Sequence, residues 1–473
     1  MRNLTLLTDL YELTMMSGYL KENKQDQWAT FDVFYRKSDT IDMCIFAGLE
    51  QVIDYINNLR FTPDDIDYLR GLNIFEEDFL KALENFSFTG DIYSVREGEV
   101  VFAGEPIMTV RAPIFEAQFI ETAILNMVNH QTLIATKASK IVRQAKGASI
   151  MEFGARRAQG PDAAIYGSRA SIIGGCDSTS NVIAAKMFDV PASGTHAHSW
   201  VMSFPTELDA FRAYARLFPT KCLLLVDTYD TLGSGVPNAI KVFDELRAQG
   251  YEPLGIRLDS GDLAYLSKKA RQMLDEAGYP DAIICASGDI DEYILASLNL
   301  QGAKIDLYGI GTKLVTALPV SALGGVYKLA ELMEDGVMVP KIKLSDTRIK
   351  MTNPGFKSVY RLYNKDGMAE ADLITLKDES IDETSPLEIF DPIDTWKRMT
   401  LKDFTARELH VQVYDKGKQV YFSPTVREIR DYAKKCQSEI FEENLRLTNP
   451  HVYKVDLSQK LYDLKHELLT KKR

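Results

Sequence analysis

From Met151 to Thr316 short apolar runs alternate with polar turns and amphipathic stretches, and that cadence predicts buried strands each followed by a helix. The runs are Ile150-Met-Glu-Phe-Gly-Ala-Arg-Arg157, Ser193-Gly-Thr-His-Ala-His-Ser-Trp200, Cys222-Leu-Leu-Leu-Val-Asp-Thr-Tyr-Asp230, Gly255-Ile-Arg-Leu-Asp-Ser-Gly-Asp262, Ile283-Ile-Cys-Ala-Ser-Gly-Asp289 and Ile305-Asp-Leu-Tyr-Gly-Ile-Gly-Thr-Lys313. Helical spacing follows, as in Pro237 to Arg247 and Asp262 to Leu274. In parallel α/β folds the strand carboxyl ends collect in one place, so the polar turns are expected to line a single cleft. Six such units suggest an irregular parallel α/β barrel.

The flanks have a different texture. Thr8 to Ser17 reads as a capped amphipathic helix, Trp28 to Tyr35 as a strand and Leu49 to Ile56 as a helix. Arg96 to Arg111 predicts a β-hairpin within a sandwich; it looks like half of a lipoyl-type hairpin but lacks a modifiable lysine at its tip. Helical patterns run from Glu116 to Val128 and from Thr136 to Ala145. After Lys341 β-like segments continue to about Phe422, and a charged helical tail closes the chain. The expected division is an N-terminal α/β sandwich domain over 1–115, the barrel over 116–338, and a C-terminal α+β region over 339–473 packing on both.

Composition narrows the chemistry. The chain has 473 residues, 45% hydrophobic and 26% charged, enough for a large core, and its net charge of −12 argues against non-specific nucleic-acid binding. Any anion site must come from a few placed residues. Five cysteines, Cys44, Cys176, Cys222, Cys285 and Cys436, are far apart and without C-x-x-C spacing, which suits a reducing cytoplasm better than a disulfide framework or a thiolate metal site. No run approaches the roughly 18 apolar residues of a membrane span.

Candidate chemistry sits in the turns. His196 and His198 form an H-x-H pair, but later histidines fall only at His410, His451 and His466, so a transition-metal site lacks ligands. An imidazole acting as base or phosphate acceptor fits better. Asp227, Asp230, Asp259 and Asp262 lie at the ends of neighbouring strands. Helix capping accounts for Asp262 and Asp230, whereas Asp227 and Asp259 come too early in their turns and suit magnesium, histidine orientation or a developing positive charge. Asp177 reads as a helix cap. The glycine turns Ser287-Gly288-Asp289 and Gly309-Ile-Gly311-Thr-Lys313 allow close approach to a phosphate. No G-x-G-x-x-G follows an early strand, so a dinucleotide fold is disfavoured. Phe153 beside Arg156 and Arg157 suits a flat anionic ring.

Taken in order, Thr8-Asp-Leu-Tyr-Glu-Leu-Thr-Met15, Glu152-Phe-Gly-Ala-Arg-Arg-Ala-Gln-Gly160, Gly194-Thr-His-Ala-His-Ser199, Arg257-Leu-Asp-Ser-Gly-Asp262, Tyr308-Gly-Ile-Gly-Thr312 and Asn353-Pro-Gly-Phe-Lys357 resemble the nicotinate phosphoribosyltransferase family over nearly the whole chain. The resemblance implies a type II phosphoribosyltransferase: a sandwich joined to an irregular barrel, with sites completed across a homodimer. It implies that nicotinate and 5-phosphoribosyl 1-diphosphate give nicotinate mononucleotide and diphosphate, with Mg2+ and with ATP hydrolysed as co-substrate, in NAD biosynthesis. Position by position, it places Phe153 and Tyr11 of the other subunit against the pyridine ring and Arg156, Thr195 and Arg257 around its substituents. His198 matches the histidine phosphorylated by ATP, and His196 occupies a variable slot. Asp259 and Asp227 then serve the sugar, Asp227 by hydrogen-bonding His198 and Asp259 as a magnesium contact. Gly288, Gly309, Gly311 and Thr312 hold the 5′-phosphate, and Arg36, Lys343 or Lys350 reach the diphosphate. A nicotinamide- or quinolinate-using enzyme, or a silent pyridine-nucleotide-binding relative, are the alternatives.

Overall fold

Five of the six expected strands form, and they pair in parallel. The computed structural model describes residues 3–38, 41–345 and 351–471. Within it the strands Ser178–Thr179, Ser149–Glu152, Leu307–Ile310, Ile283–Gly288, Gly255–Leu258 and Leu223–Leu225 lie side by side in that order. Each neighbouring pair is parallel. Alternation along the strands explains their apolar runs. Cys222, Leu224, Val226, Ile256, Leu258 and Ile284 pack on one side against helical residues such as Phe211, Val242, Phe243 and Leu274. Leu223, Cys285 and Met151 turn the other way and form a second cluster that includes Phe153.

The sixth expected strand, Ser193 to Trp200, is not one. Ser193 donates its N–H to Thr179 O at 3.0 Å, and by His198 the chain has entered the short helix His198–Met202. Pro191, Gly194 and a lack of apolar side chains deny the segment a buried strand face. The place in the sheet goes to the two-residue strand Ser178–Thr179, too short for periodicity to reveal. Asp177, expected as a helix cap, instead accepts the Ile150 N–H at 3.0 Å, while Asn181 caps the next helix, Val182–Phe188.

This sheet and its helices make up one unit, residues 134–321; residues 1–133 and 322–473 form another. The second is built on a seven-stranded antiparallel sheet ordered Val337–Pro340, Gly325–Glu334, Trp28–Tyr35, Met108–Pro113, Asp91–Val95, His410–Asp415 and Lys418–Gln419. The expected divisions at 115/116 and 338/339 therefore do not coincide with these units. Gly325–Glu334 returns to pair with Trp28–Tyr35 along its length, a contact between segments some three hundred residues apart that local periodicity does not encode. Nor do the strands between Arg96 and Arg111 make the expected hairpin: Val100–Phe102 pairs with Met43–Ile45, and Met108–Pro113 lies between Trp28–Tyr35 and Asp91–Val95.

A four-stranded sheet, Thr405–Glu408, Lys357–Tyr363, Ala369–Leu376 and Lys454–Leu457, joins the same unit. Fully buried Arg361 donates to both Asp372 oxygens at 2.9 and 2.6 Å, to Glu99 at 2.8 Å and to Val100 O at 2.7 Å. Such a charge is tolerated only because its donors are matched. Among the described residues no helix is long and apolar enough to cross a membrane.

Candidate active site

Sequence-predicted residues converge at the carboxyl ends of the parallel strands. Arg257, the third residue of Gly255–Leu258, donates Nε–H to Ser287 Oγ at 2.8 Å, Nη1–H to Thr195 Oγ1 at 2.9 Å and His196 O at 3.3 Å, and Nη2–H to Asp259 Oδ1 at 2.9 Å. One guanidinium thus fastens three of these turns together, with four of its five N–H groups used. Its Cζ lies 5.6 Å from the centre of the Phe153 ring.

Phe153 follows directly on Ser149–Glu152 and donates its N–H to Ile310 O at 2.8 Å. Buried Glu152 holds the turn: its carboxylate accepts from Gly154 N–H, from Ser168 Oγ at 2.8 Å and from Thr179 Oγ1 at 2.6 Å. Arg156 stands exposed one step further, on the turn Ala155–Arg157.

His198 has a neighbour at each ring nitrogen. Nδ1 is 3.0 Å from Thr228 Oγ1, and Nε2 is 3.6 Å from Asp259 Oδ2. The hydrogen bond expected from Asp227 is not formed. Asp227 Oδ2 accepts from Asp259 N–H at 2.8 Å and Ser260 Oγ at 2.7 Å, and its Oδ1 is buried with no hydrogen-bond partner. Backbone geometry turned Asp227 toward the next strand's loop and left Thr228, one residue on, to meet the imidazole.

Electrostatics separates the two histidines. Burial, then the nearby Arg257 and His198, push the His196 imidazole down to about 4, so at neutral pH it is uncharged. Its Nε2 accepts the Leu225 N–H at 3.2 Å and its ring packs edge-on against Tyr214, which makes it a strand-end support. His198 is the one with an open side. Burial pushes the Asp259 carboxyl up, but the Ser287 hydroxyl and Arg257 outweigh that and hold it below the ordinary carboxylate range. It is an anion throughout the neutral range.

Two aspartates do cap, as expected: Asp230 accepts from Gly233 N–H at 2.9 Å and Asp262 from Tyr265 N–H at 2.9 Å. Two of the glycines leave room for their neighbours. A Cβ on Gly309 would come 2.5 Å from Phe153 Cε2, and one on Gly288, where φ is +121°, would meet Asp259 O at 3.0 Å. Gly311 immediately precedes the one-turn helix Thr312–Val315 at the end of Leu307–Ile310.

Three expected residues lie in the other unit. Tyr11 is 45% exposed on the helix Leu10–Lys21, its hydroxyl held by Glu121. Arg36 lines a cleft of ≈ 170 Å³ with Lys37, Lys357, Lys465, Asp32 and Asn353, and its Nε is buried without a partner. Lys343 is exposed and not among that lining, and Lys350 falls outside the described residues. Sequence reading missed Thr228, Glu152 and the bridging role of Ser287. Glu152 had a signal, a carboxylate inside an otherwise apolar strand; the two hydroxyls had none.

An enzyme of the α/β class, with its polar groups gathered at the ends of parallel strands, is what these features define. The nicotinate phosphoribosyltransferase family model matches residues 148–362, with the family's N-terminal domain over 6–129 and its C-terminal domain over 356–465. The chain is 47% identical over 459 residues to the nicotinate phosphoribosyltransferase of Bacillus subtilis, covering 97% of this chain and 93% of that one. It is 31% identical to the human enzyme over 529 residues, covering 98% and 96%. The crystal structure of human nicotinic acid phosphoribosyltransferase superposes with a TM-score of 0.86 at 29% identity, over 98% of this chain and 99% of that one. A nicotinate-nucleotide pyrophosphorylase from Pyrococcus furiosus, at 21% identity and TM-score 0.71 over 92% and 96% of the two chains, shares the fold. The chain belongs to the nicotinate phosphoribosyltransferase family.

Proposed function

We propose that the protein joins nicotinate to 5-phosphoribosyl 1-diphosphate, forming nicotinate mononucleotide and diphosphate in NAD biosynthesis, with ATP hydrolysis coupled through a phosphohistidine at His198. The observation that carries this reading is the placement of His198 against Asp259, whose other oxygen is bound by Arg257 beside the Phe153 ring. A nucleophile, an anion for the sugar and a platform for a flat ring share one set of turns.

In the ATP-dependent half, a ring nitrogen of His198 attacks the γ-phosphorus. The new N–P bond forms as the bridging P–O bond breaks, and ADP leaves with the electron pair; water later takes the phosphoryl group. In the transfer half, the pyridine nitrogen bonds to the ribose anomeric carbon as the carbon–oxygen bond to diphosphate breaks, and diphosphate leaves with those electrons. Positive charge builds on the sugar, and the Asp259 and Asp227 carboxylates stabilise it.

Phe153 with Tyr11 of a second copy takes the pyridine ring, and Arg156, Thr195 and Arg257 take its carboxylate. Arg257 has one N–H left to offer, so exposed Arg156 supplies the remainder. Gly288, Gly309, Gly311 and Thr312 receive the 5′-phosphate. Arg36, Lys343 and Lys350, of this chain or of a second copy, are the candidates for the diphosphate. Magnesium fits these residues as an ion carried by the diphosphate: the described residues hold no group of three His, Cys, Asp or Glu side chains able to bind a metal, yet Asp227 keeps a buried, unpartnered carboxylate oxygen and Asp259 lies beside it. Bound there, it would supply positive charge to offset that of the leaving group.

We read the parallel sheet as part of an irregular barrel joined to a sandwich, with regions 1–115, 116–338 and 339–473 as its functional divisions, the protein as a homodimer with shared sites, and its compartment as the cytoplasm, which suits five free cysteines. Product formation from nicotinate, nicotinamide and quinolinate, each with and without MgATP, tests the reading. Turnover of nicotinate stimulated by ATP is expected. Preference for another base moves the assignment to it, and no turnover of any base leaves a silent pyridine-nucleotide binder.

A further inference from the structure

Among the groups that touch His198, Thr228 is the one for which neither the family resemblance nor the sequence supplied a role. We propose that Thr228 is a positioning residue whose hydroxyl fixes the rotation of the His198 ring for phosphoryl acceptance. The inference rests on the phosphohistidine reading and deepens it.

The imidazole is pinned at opposite corners. Thr228 Oγ1 stands 3.0 Å from Nδ1, and Asp259 Oδ2 stands 3.6 Å from Nε2. Of these two, the carboxylate is itself immobilised, since Asp259 Oδ1 is bound by Arg257 and Ser287 and its backbone N–H by Asp227. Only the hydroxyl is within hydrogen-bonding distance, so it does most to set the ring. The His198 side chain is 38% exposed and begins a five-residue helix, so packing alone gives it little restraint. A hydroxyl also suits a nitrogen that changes partner during a reaction cycle. It donates to a lone pair and accepts from an N–H, rotating about its own bond to do either. A carboxylate at the same corner would only accept.

The test uses full-length Thr228→Val, which keeps the branched shape and removes the hydroxyl, and Thr228→Ser, which keeps the hydroxyl. With radiolabelled ATP and magnesium, the acid-labile phosphoprotein in Thr228→Val should form roughly 10- to 100-fold more slowly than in the unaltered chain, the usual scale for a misoriented reacting group. The ratio of ATP-stimulated to ATP-independent transfer should fall with it, and Thr228→Ser should recover most of both. Undiminished labelling of Thr228→Val overturns the proposal, and so does a Thr228→Ser variant as slow as Thr228→Val, which would assign the effect to packing. Labelling of neither the variants nor the unaltered chain would overturn the phosphohistidine reading itself and this proposal with it.

Discussion

Phe153 occupies the space that a side chain on residue 309 would fill: a Cβ there would lie 2.5 Å from its Cε2 and 2.6 Å from its Cδ2. Gly309 is thus the floor beneath the aromatic platform. Gly309→Ala should push the ring outward and raise the KM for nicotinate roughly 10-fold. Overpacking of this kind costs about 1–3 kcal/mol, so a lowered denaturation midpoint should accompany the change. An unaltered KM for nicotinate would remove Phe153 from the base site.

Asp259 is the hub for His198 and Arg257. Asp259→Asn keeps the shape and removes the charge, and kcat should fall by roughly 10²–10³ if the carboxylate faces positive charge developing on the sugar. Because Asp259 is held below the ordinary carboxylate range, it is ionised across the working pH and should contribute no acid limb to the profile there. A pH–rate profile of the unaltered enzyme from pH 5 to 9, compared with that of Asp259→Asn, checks both points.

His196 links pH to stability rather than to chemistry. Its folded value, about 4, lies below the unfolded value near 6.5, so the unfolded chain binds the proton more readily. The stability it confers is fully present above about pH 6.5 and is lost as pH falls through the window down to about 4, by roughly 3 kcal/mol at most. His196→Gln should flatten that part of the denaturation profile. If urea midpoints at pH 7 and pH 5 differ as much in the variant as in the unaltered chain, the imidazole is not the cause.

Arg361 is an anchor of the other unit. Arg361→Ala would leave the buried Asp372 carboxylate without its cation, while Glu99 keeps Arg407, and should cost about 3–5 kcal/mol. Arg361→Lys should rescue little, because three separate acceptors are met by one planar fork. Guanidinium chloride titrations of both variants would show it, and near-normal stability of the lysine variant would contradict the geometric account.

The Arg36 cleft makes a claim about substrate. Arg36→Ala should raise the KM for 5-phosphoribosyl 1-diphosphate by about 10-fold or more, the scale of a hydrogen bond between charged groups, and change the KM for nicotinate less. Equal effects on both substrates would point to a structural role instead.

What the amino-acid order settled by itself was local. Runs such as Cys222 to Val226 and Ile283 to Ala286 announced buried parallel strands, because alternate residues on both faces are apolar. Asp230 and Asp262 announced their caps, because a cap is a bond between near neighbours. Thr8 to Met15, Glu152 to Gly160 and Gly194 to Ser199, taken together, carried the family. Pairings over long separations stayed hidden: Gly325–Glu334 against Trp28–Tyr35, Arg361 against Glu99, and the two-residue strand at Ser178. So did the finer distinction inside Asp227-Thr228. Both residues leave the same strand end with polar side chains, and only the path of the backbone decides that the carboxylate serves Asp259 while the hydroxyl meets His198. Periodicity tells which face a side chain takes within an element; where the chain turns, direction is fixed by distant partners, and these exist only once the fold has formed.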